Sequence, residues 1–110
     1  MDKTEQIFEK EKVFRFPEMI EYSAKSVVSK QVIKSQGGNI TLFSFDAGEG
    51  LSEHTAPFDA LVQVVDGTAE IVIGGNKHIL REGDSIIMPA SVPHSVYAPE
   101  KFKMALTMIR

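Results

Sequence analysis

Two histidines, His54 and His94, sit in the surroundings most suited to chemistry in this chain. His54 follows Gly48-Glu-Gly-Leu-Ser-Glu and stands just ahead of a loop broken by Pro57, while His94 closes the stretch Pro89-Ala-Ser-Val-Pro. A neutral imidazole carries one donor and one acceptor and titrates near neutral pH. Such a pair could ligate a metal, act as a general base, or hold the hydroxyl or carboxylate of a ligand. Other chemistries find less support. There is no cysteine, so thiolate ligation, thiol nucleophiles and disulfides are excluded. Ser91 and Ser95 neighbour His94 in sequence only, which is not triad geometry. Gly74-Gly75 opens no helix and so forms no phosphate loop. His78, beside Lys77 in a hairpin, reads as a surface residue without a role.

A catalytic metal centre generally needs three protein ligands and an open position. His54 and His94 would supply two, and a third donor would have to be Glu53, Asp59 or Gln63. Each of these lies one residue from a position expected to point inward, so strand alternation turns it outward. A bulge in the loop from Thr55 to Phe58 would reverse the parity of Asp59, which makes Asp59 the candidate third ligand.

These residues have to be positioned by strands. From residue 25 the apolar pattern has period two. Val27, Val28, Val32 and Ile33 lie among polar residues, as in a strand with one wet face. Gln36-Gly37-Gly38-Asn39 is a hairpin turn leading into a strand from Ile40 to Phe45 with apolar residues on both sides. Ala60 to Val65 is nearly all apolar and reads as a buried strand, which Asp66-Gly67 is expected to turn into a second strand, Thr68 to Ile73. Further strands are expected over His78 to Leu80, Ser85 to Met88, His94 to Ala98, and the alternating run around Phe102, Met104, Leu106 and Met108. About eight short strands at regular spacing, with no long amphipathic helix between them, make the chain all-β, a closed or sandwiched antiparallel sheet. Ahead of them, Asp2 and Glu5 form a capping box for a short helix, and Met19-Ile20 suits a turn of helix or an arm lying on the barrel.

At 110 residues the chain has the length of one domain, read as an N-terminal arm over 1–25 and a barrel over 26–110. The net charge is −3 and basic residues are not clustered, which speaks against nucleic acid. Lys101 and Lys103, flanking Phe102, read as the solvent face of a strand. No apolar run approaches the roughly 18 residues of a membrane span. The first residues lack the apolar stretch of a signal peptide, so a cytoplasmic location is expected.

The stretches around the two histidines resemble the paired motifs of the cupin family of jelly-roll barrels. The first motif begins at Gly48, places His54 after five residues, and closes at Gly67. The second runs through Gly83, Pro89 and His94, and fifteen residues separate the two motifs. The resemblance covers residues from about 40 to the end. It implies a single cupin-like antiparallel jelly-roll barrel, commonly paired as a homodimer. It also implies a divalent-metal site of three histidines and a glutamate, from which this chain departs. Ala56 and Ala60 stand where the second histidine and the glutamate belong, Ser91 replaces a glycine, and Ala98 replaces an asparagine.

Two functions follow as expectations. The first is a non-catalytic barrel that binds a small molecule between His54, His94 and a cavity lined by Ala56, Ala60, Val62, Met88 and Met104. Its metal site would be degenerate, holding no metal or a weakly bound Mn, Fe, Ni or Zn. The second is a metal-dependent enzyme of the dioxygenase, isomerase or decarboxylase kind that uses both histidines.

Overall fold

The structure, a computed structural model, describes residues 8–110, so the capping box expected at Asp2 and Glu5 lies outside the described residues. A 3₁₀ turn over Phe16–Glu18 is followed by eight strands: β1 (Val27–Ser35), β2 (Gly38–Phe45), β3 (Gly50–His54), β4 (Asp59–Ile73), β5 (Asn76–Arg81), β6 (Ser85–Met88), β7 (His94–Tyr97) and β8 (Phe102–Ile109). All strand pairs are antiparallel. The all-β jelly-roll expectation holds.

Two sheets share β4. Its first half pairs with β8 on one side and β6 on the other, in a sheet ordered β1-β2-β8-β4-β6. Its second half pairs with β5 and β7, and β3 continues that second sheet beyond β7. The expected turn at Asp66-Gly67 is therefore absent. The chain instead runs on as one 15-residue strand with a register irregularity between Val64 and Asp66. Gly67 makes the crossing feasible. Its φ is 76°, and a Cβ there would lie 2.0 Å from the Lys101 carbonyl oxygen. Only glycine supplies that backbone conformation with that clearance. The strand count still comes to eight, because Gly50–His54 forms a strand that its glycine and polar residues had disguised.

The core fills the space between the sheets. Phe45 and Phe102 stack at 4.4 Å between centroids, and Val62, Val64, Ala69, Ile71 and Leu80 pack around them. Along β4 the inward positions are Ala60, Val62 and Val64, while Asp59 and Gln63 are exposed, as period two requires. His78 departs from its expected surface role. It is half-buried, opposite Ile71 in the β4–β5 ladder and on the same face as Leu80.

The arm lies on the outer face of the β2–β8 pair. Ile20 is buried there, Ser44 Oγ donates to the Glu21 carbonyl at 2.8 Å, and Lys30 Nζ donates to the Met19 carbonyl at 3.0 Å. Lys103, expected on a solvent face, is buried instead. Its Nζ donates to the Pro17 carbonyl at 2.6 Å and lies 4.8 Å from the centre of the Tyr22 ring. Tyr22 in turn donates its hydroxyl to Asp66 at 2.5 Å. Burial and this carboxylate push the Tyr22 pKa well above the phenol range. A basic residue on a strand looks solvent-facing until a covering segment is known, because the long stem buries while the ammonium finds carbonyls.

The crossing predicts a contrast between two glycines. Gly67→Ala should cost about 3 kcal/mol, because a left-handed φ and a backbone collision add. Gly75→Ala, with φ 87° and nothing within 4 Å of its added Cβ, should cost about 1 kcal/mol. Urea unfolding of the two variants checks this, and equal losses would remove the close approach as a constraint.

Candidate functional site

His54 ends β3 and His94 begins β7, and the two face each other directly in the β3–β7 ladder. Their ring centroids are 4.4 Å apart in an edge-to-face arrangement. The register shifts between Leu51 and His54. That irregularity lets two residues of opposite parity, Leu51 and His54, line the same interior. A parity-reversing irregularity therefore exists, and it serves His54 rather than Asp59.

The loop that follows β6 delivers His94. Ser91 has φ 65°, the left-handed region, at the position where the family motif carries glycine. Its N–H donates to the Ala56 carbonyl at 2.7 Å, and the Gly74 N–H donates to the Pro93 carbonyl at 2.8 Å. Asp59 also works on this loop, its carboxylate accepting the Ala90 N–H at 2.8 Å. That hydrogen bond occupies the candidate third ligand in holding the loop, and Asp59 does not line the interior. Among the described residues no three His, Cys, Asp or Glu side chains gather where they could hold an ion.

The interior beside the histidines is a cavity of about 50 Å³, lined by Leu51, His54, Ala56, Ala60, Met88, His94, Val96, Met104, Leu106 and Met108. Of the residues expected to line it, Ala56, Ala60, Met88 and Met104 do so. Val62 is fully buried in the packed core and does not. Leu51, Val96 and Leu106 were not singled out from the sequence, although the parity of Val96 with His94 and of Leu106 with Met104 carried the signal.

The hydrogen bonds of the rings fix their tautomers. His54 Nδ1 lies 2.7 Å from the Ser52 carbonyl oxygen, and His94 Nδ1 lies 3.1 Å from the Val92 carbonyl oxygen. A carbonyl only accepts, so each Nδ1 carries the proton, and each neutral ring keeps its lone pair on Nε2. Among the described residues neither Nε2 has a protein partner. Two ring nitrogens are thus held as acceptors beside a cavity whose other walls are apolar.

Burial lowers the pKa of His94, and the neighbouring His54 adds to that, while the bond to Val92 opposes it. A histidine whose folded-state pKa is depressed favours the folded form fully above the unfolded value, about 6.5, and loses that contribution as pH falls through and below it. Stability should therefore decline as pH drops from about 7 to 5, and His94→Gln should flatten part of the decline. Thermal unfolding across that range checks it. Parallel curves for the two proteins would acquit His94 as the source.

Comparisons with known proteins bear on the fold and family. A family model described as a cupin domain matches residues 41–110. A conserved protein of unknown function from Streptococcus pyogenes is 33% identical, with a TM-score of 0.90 over 96% of this chain and 92% of its own. A cupin 2 conserved barrel domain protein from Leptotrichia buccalis is 38% identical, with a TM-score of 0.83, the match covering 86% of this chain and 46% of the other. A cupin superfamily protein from Desulfitobacterium hafniense is 28% identical, with a TM-score of 0.88 over 94% of this chain and 95% of its own. Among curated proteins no match is found.

Proposed function

The chain belongs to the cupin family, and from that premise we propose that it is a binding barrel rather than a hard-metal enzyme, receiving a small ligand on the Nε2 atoms of His54 and His94. The observation that carries this reading is the pair of carbonyl-anchored Nδ1 atoms, which leaves two acceptor nitrogens beside an apolar cavity with no carboxylate among the described residues of its wall. A ligand suited to it presents a group that accepts a nitrogen lone pair and has a small apolar body. Size sharpens the point. Sites for drug-sized molecules measure roughly 300–1,000 Å³, and a cavity of about 50 Å³ takes only a few heavy atoms. A larger ligand would insert a head of that size past His54, which is exposed at the rim. Met88, Met104 and Met108 are flexible enough to adjust around such a head.

The test uses small fragments bearing a single O–H or N–H donor, followed by ¹⁵N shifts of the imidazole rings. Binding fragments should move the Nε2 resonances of both histidines more than Nδ1. Ala60→Phe, which fills the cavity, should abolish the shifts. Fragments that bind equally well to Ala60→Phe would place the binding elsewhere and sink the reading.

A second reading, a divalent-metal enzyme of the dioxygenase, isomerase or decarboxylase kind, is favoured by the same two free nitrogens. Metal-ligating histidines typically anchor their other nitrogen to a carbonyl or carboxylate. On the first reading, Mn, Fe, Ni and Zn should bind the native protein more weakly than micromolar. The double variant Ala56→His with Ala60→Glu, which restores the two missing donor types of the family motif, should gain at least about tenfold, or 1.4 kcal/mol. Calorimetric titration decides between the two readings. Near-stoichiometric divalent binding by the native protein, lost in His54→Ala, would transfer the case to the enzyme.

A further inference from the structure

The walls of the cavity contain more than hydrocarbon. Three of the five methionines in the chain, Met88, Met104 and Met108, line it together with the two histidines. Two of them hold a specific relation to Ala60. In the strand register Ala60 pairs with Met88 on β6 and with Met108 on β8, so the alanine lies directly between them. Directly opposed residues in neighbouring strands share a face, with Cβ atoms about 5 Å apart. Both thioether side chains therefore rise from the floor of the cavity on either side of a residue that ends at its Cβ. Among the described residues no carboxylate lines the wall, and Asp59 is committed to the Ala90 N–H.

We propose that this cavity is a site for a soft monovalent metal ion, with Cu(I) as the physiological class and Ag(I) as its redox-silent counterpart. His54 and His94 would supply nitrogen, and Met88 and Met108 would supply sulfur. The proposal rests on the two accepting Nε2 atoms of the binding-barrel reading above and names an ion, in place of a molecule with an apolar body, as the lone-pair acceptor. Three physical arguments converge on it. Thioether sulfur and imidazole nitrogen are a soft donor set, which selects Cu(I) over Mn, Fe or Mg. The donors are all neutral, so a bound ion keeps its whole charge in an apolar surrounding. The cost of burying charge rises with its square, so a divalent ion would be penalised roughly four times as heavily as a monovalent one. The volume, about 50 Å³, also suits one desolvated ion better than an organic molecule.

The ordinary reading of a buried methionine is a flexible filler of core gaps. That reading accounts for the burial of both Met104 and Met88, which belong to the packed core. It gives no reason for two methionines to flank an alanine beside two free imidazole nitrogens.

The experiment is titration of the full chain with Ag(I), followed by ¹³C-methyl NMR of the methionines, with Zn(II) titration in parallel. One equivalent of Ag(I) should shift the methyls of Met88 and Met108 strongly and leave that of Met19 in place. Affinity for Ag(I) should exceed that for Zn(II) by at least a hundredfold. Met88→Leu and Met108→Leu, which conserve volume, should each weaken Ag(I) at least fivefold without changing Zn(II) binding, and His54→Ala should weaken both ions. Equal affinity for the two ions, or Leu variants that bind Ag(I) like the native protein, would overturn the proposal. The fragment test separates the two levels. Unmoved methionine methyls together with shifting histidine rings would remove the soft-ion site and leave the binding barrel standing. If neither probe disturbs the cavity, both readings fall.

Discussion

The backbone of β4 passes the backbone of β8 at Gly67 with no room for a side chain, and the molecule is organised around that contact. A single strand belongs to both sheets because it can bend there. Its first half then faces the interior with Ala60, Val62 and Val64, and its second half with Ala69 and Ile71. Two sheets joined through one strand follow, since β8 and β6 flank one half of β4 while β7 and β5 flank the other. The site inherits its composition from this arrangement. Ala60, Met88 and Met108 reach it from one sheet, and His54 and His94 from the other.

Hydrogen bonding decides what the histidines offer. Had either Nδ1 been free, a neutral ring could present a donor or an acceptor to the cavity. Both are tied to carbonyls two residues upstream, Ser52 within β3 and Val92 just ahead of β7. The binding face is therefore doubly accepting, and burial of His94 holds it neutral to lower pH than a free imidazole. An accepting pair in an apolar wall receives something electron-poor.

Much of this was legible in the sequence, for reasons that differ by element. Period-two patterning exposes strands that have one wet face, which is why β1, β6 and β8 were readable. The spacing of Gly48, His54, Gly67, Gly83, Pro89 and His94 carried the resemblance to the cupin motifs, and that resemblance implied the convergence of the two histidines. The strand Gly50–His54 escaped notice because it pairs through its backbone and carries Ser, Glu and two rim residues instead of an apolar face. Asp-Gly is an ordinary hairpin signal, and nothing local tells a hairpin from a bend between sheets, because the difference lies in which strand arrives alongside. The burial of Lys103 was equally hidden, as it depends on an arm whose Pro17 carbonyl lies 86 residues away in sequence.

That arm bears on the site from behind. In a sheet with one wet face, the β2–β8 pair would show Leu42 and Ser44 of β2 and Lys103 of β8 to water. Here Ile20, Glu21, Pro17 and Tyr22 cover them, and both faces of β8 are buried through Ala105. A strand packed on two sides has little freedom to slide or tilt, since register slip would carry Lys103 away from its carbonyl partner as well as Met104 out of the core. The inward residues of the same strand, Met104, Leu106 and Met108, form one wall of the cavity. The Tyr22–Asp66 bond adds a second tie, next to Gly67 itself. The arm, the bend in β4 and the methionine wall therefore form one mechanical unit: fixing β8 from outside leaves the side chains of that wall, rather than its backbone, as the part of the cavity free to adapt to an occupant.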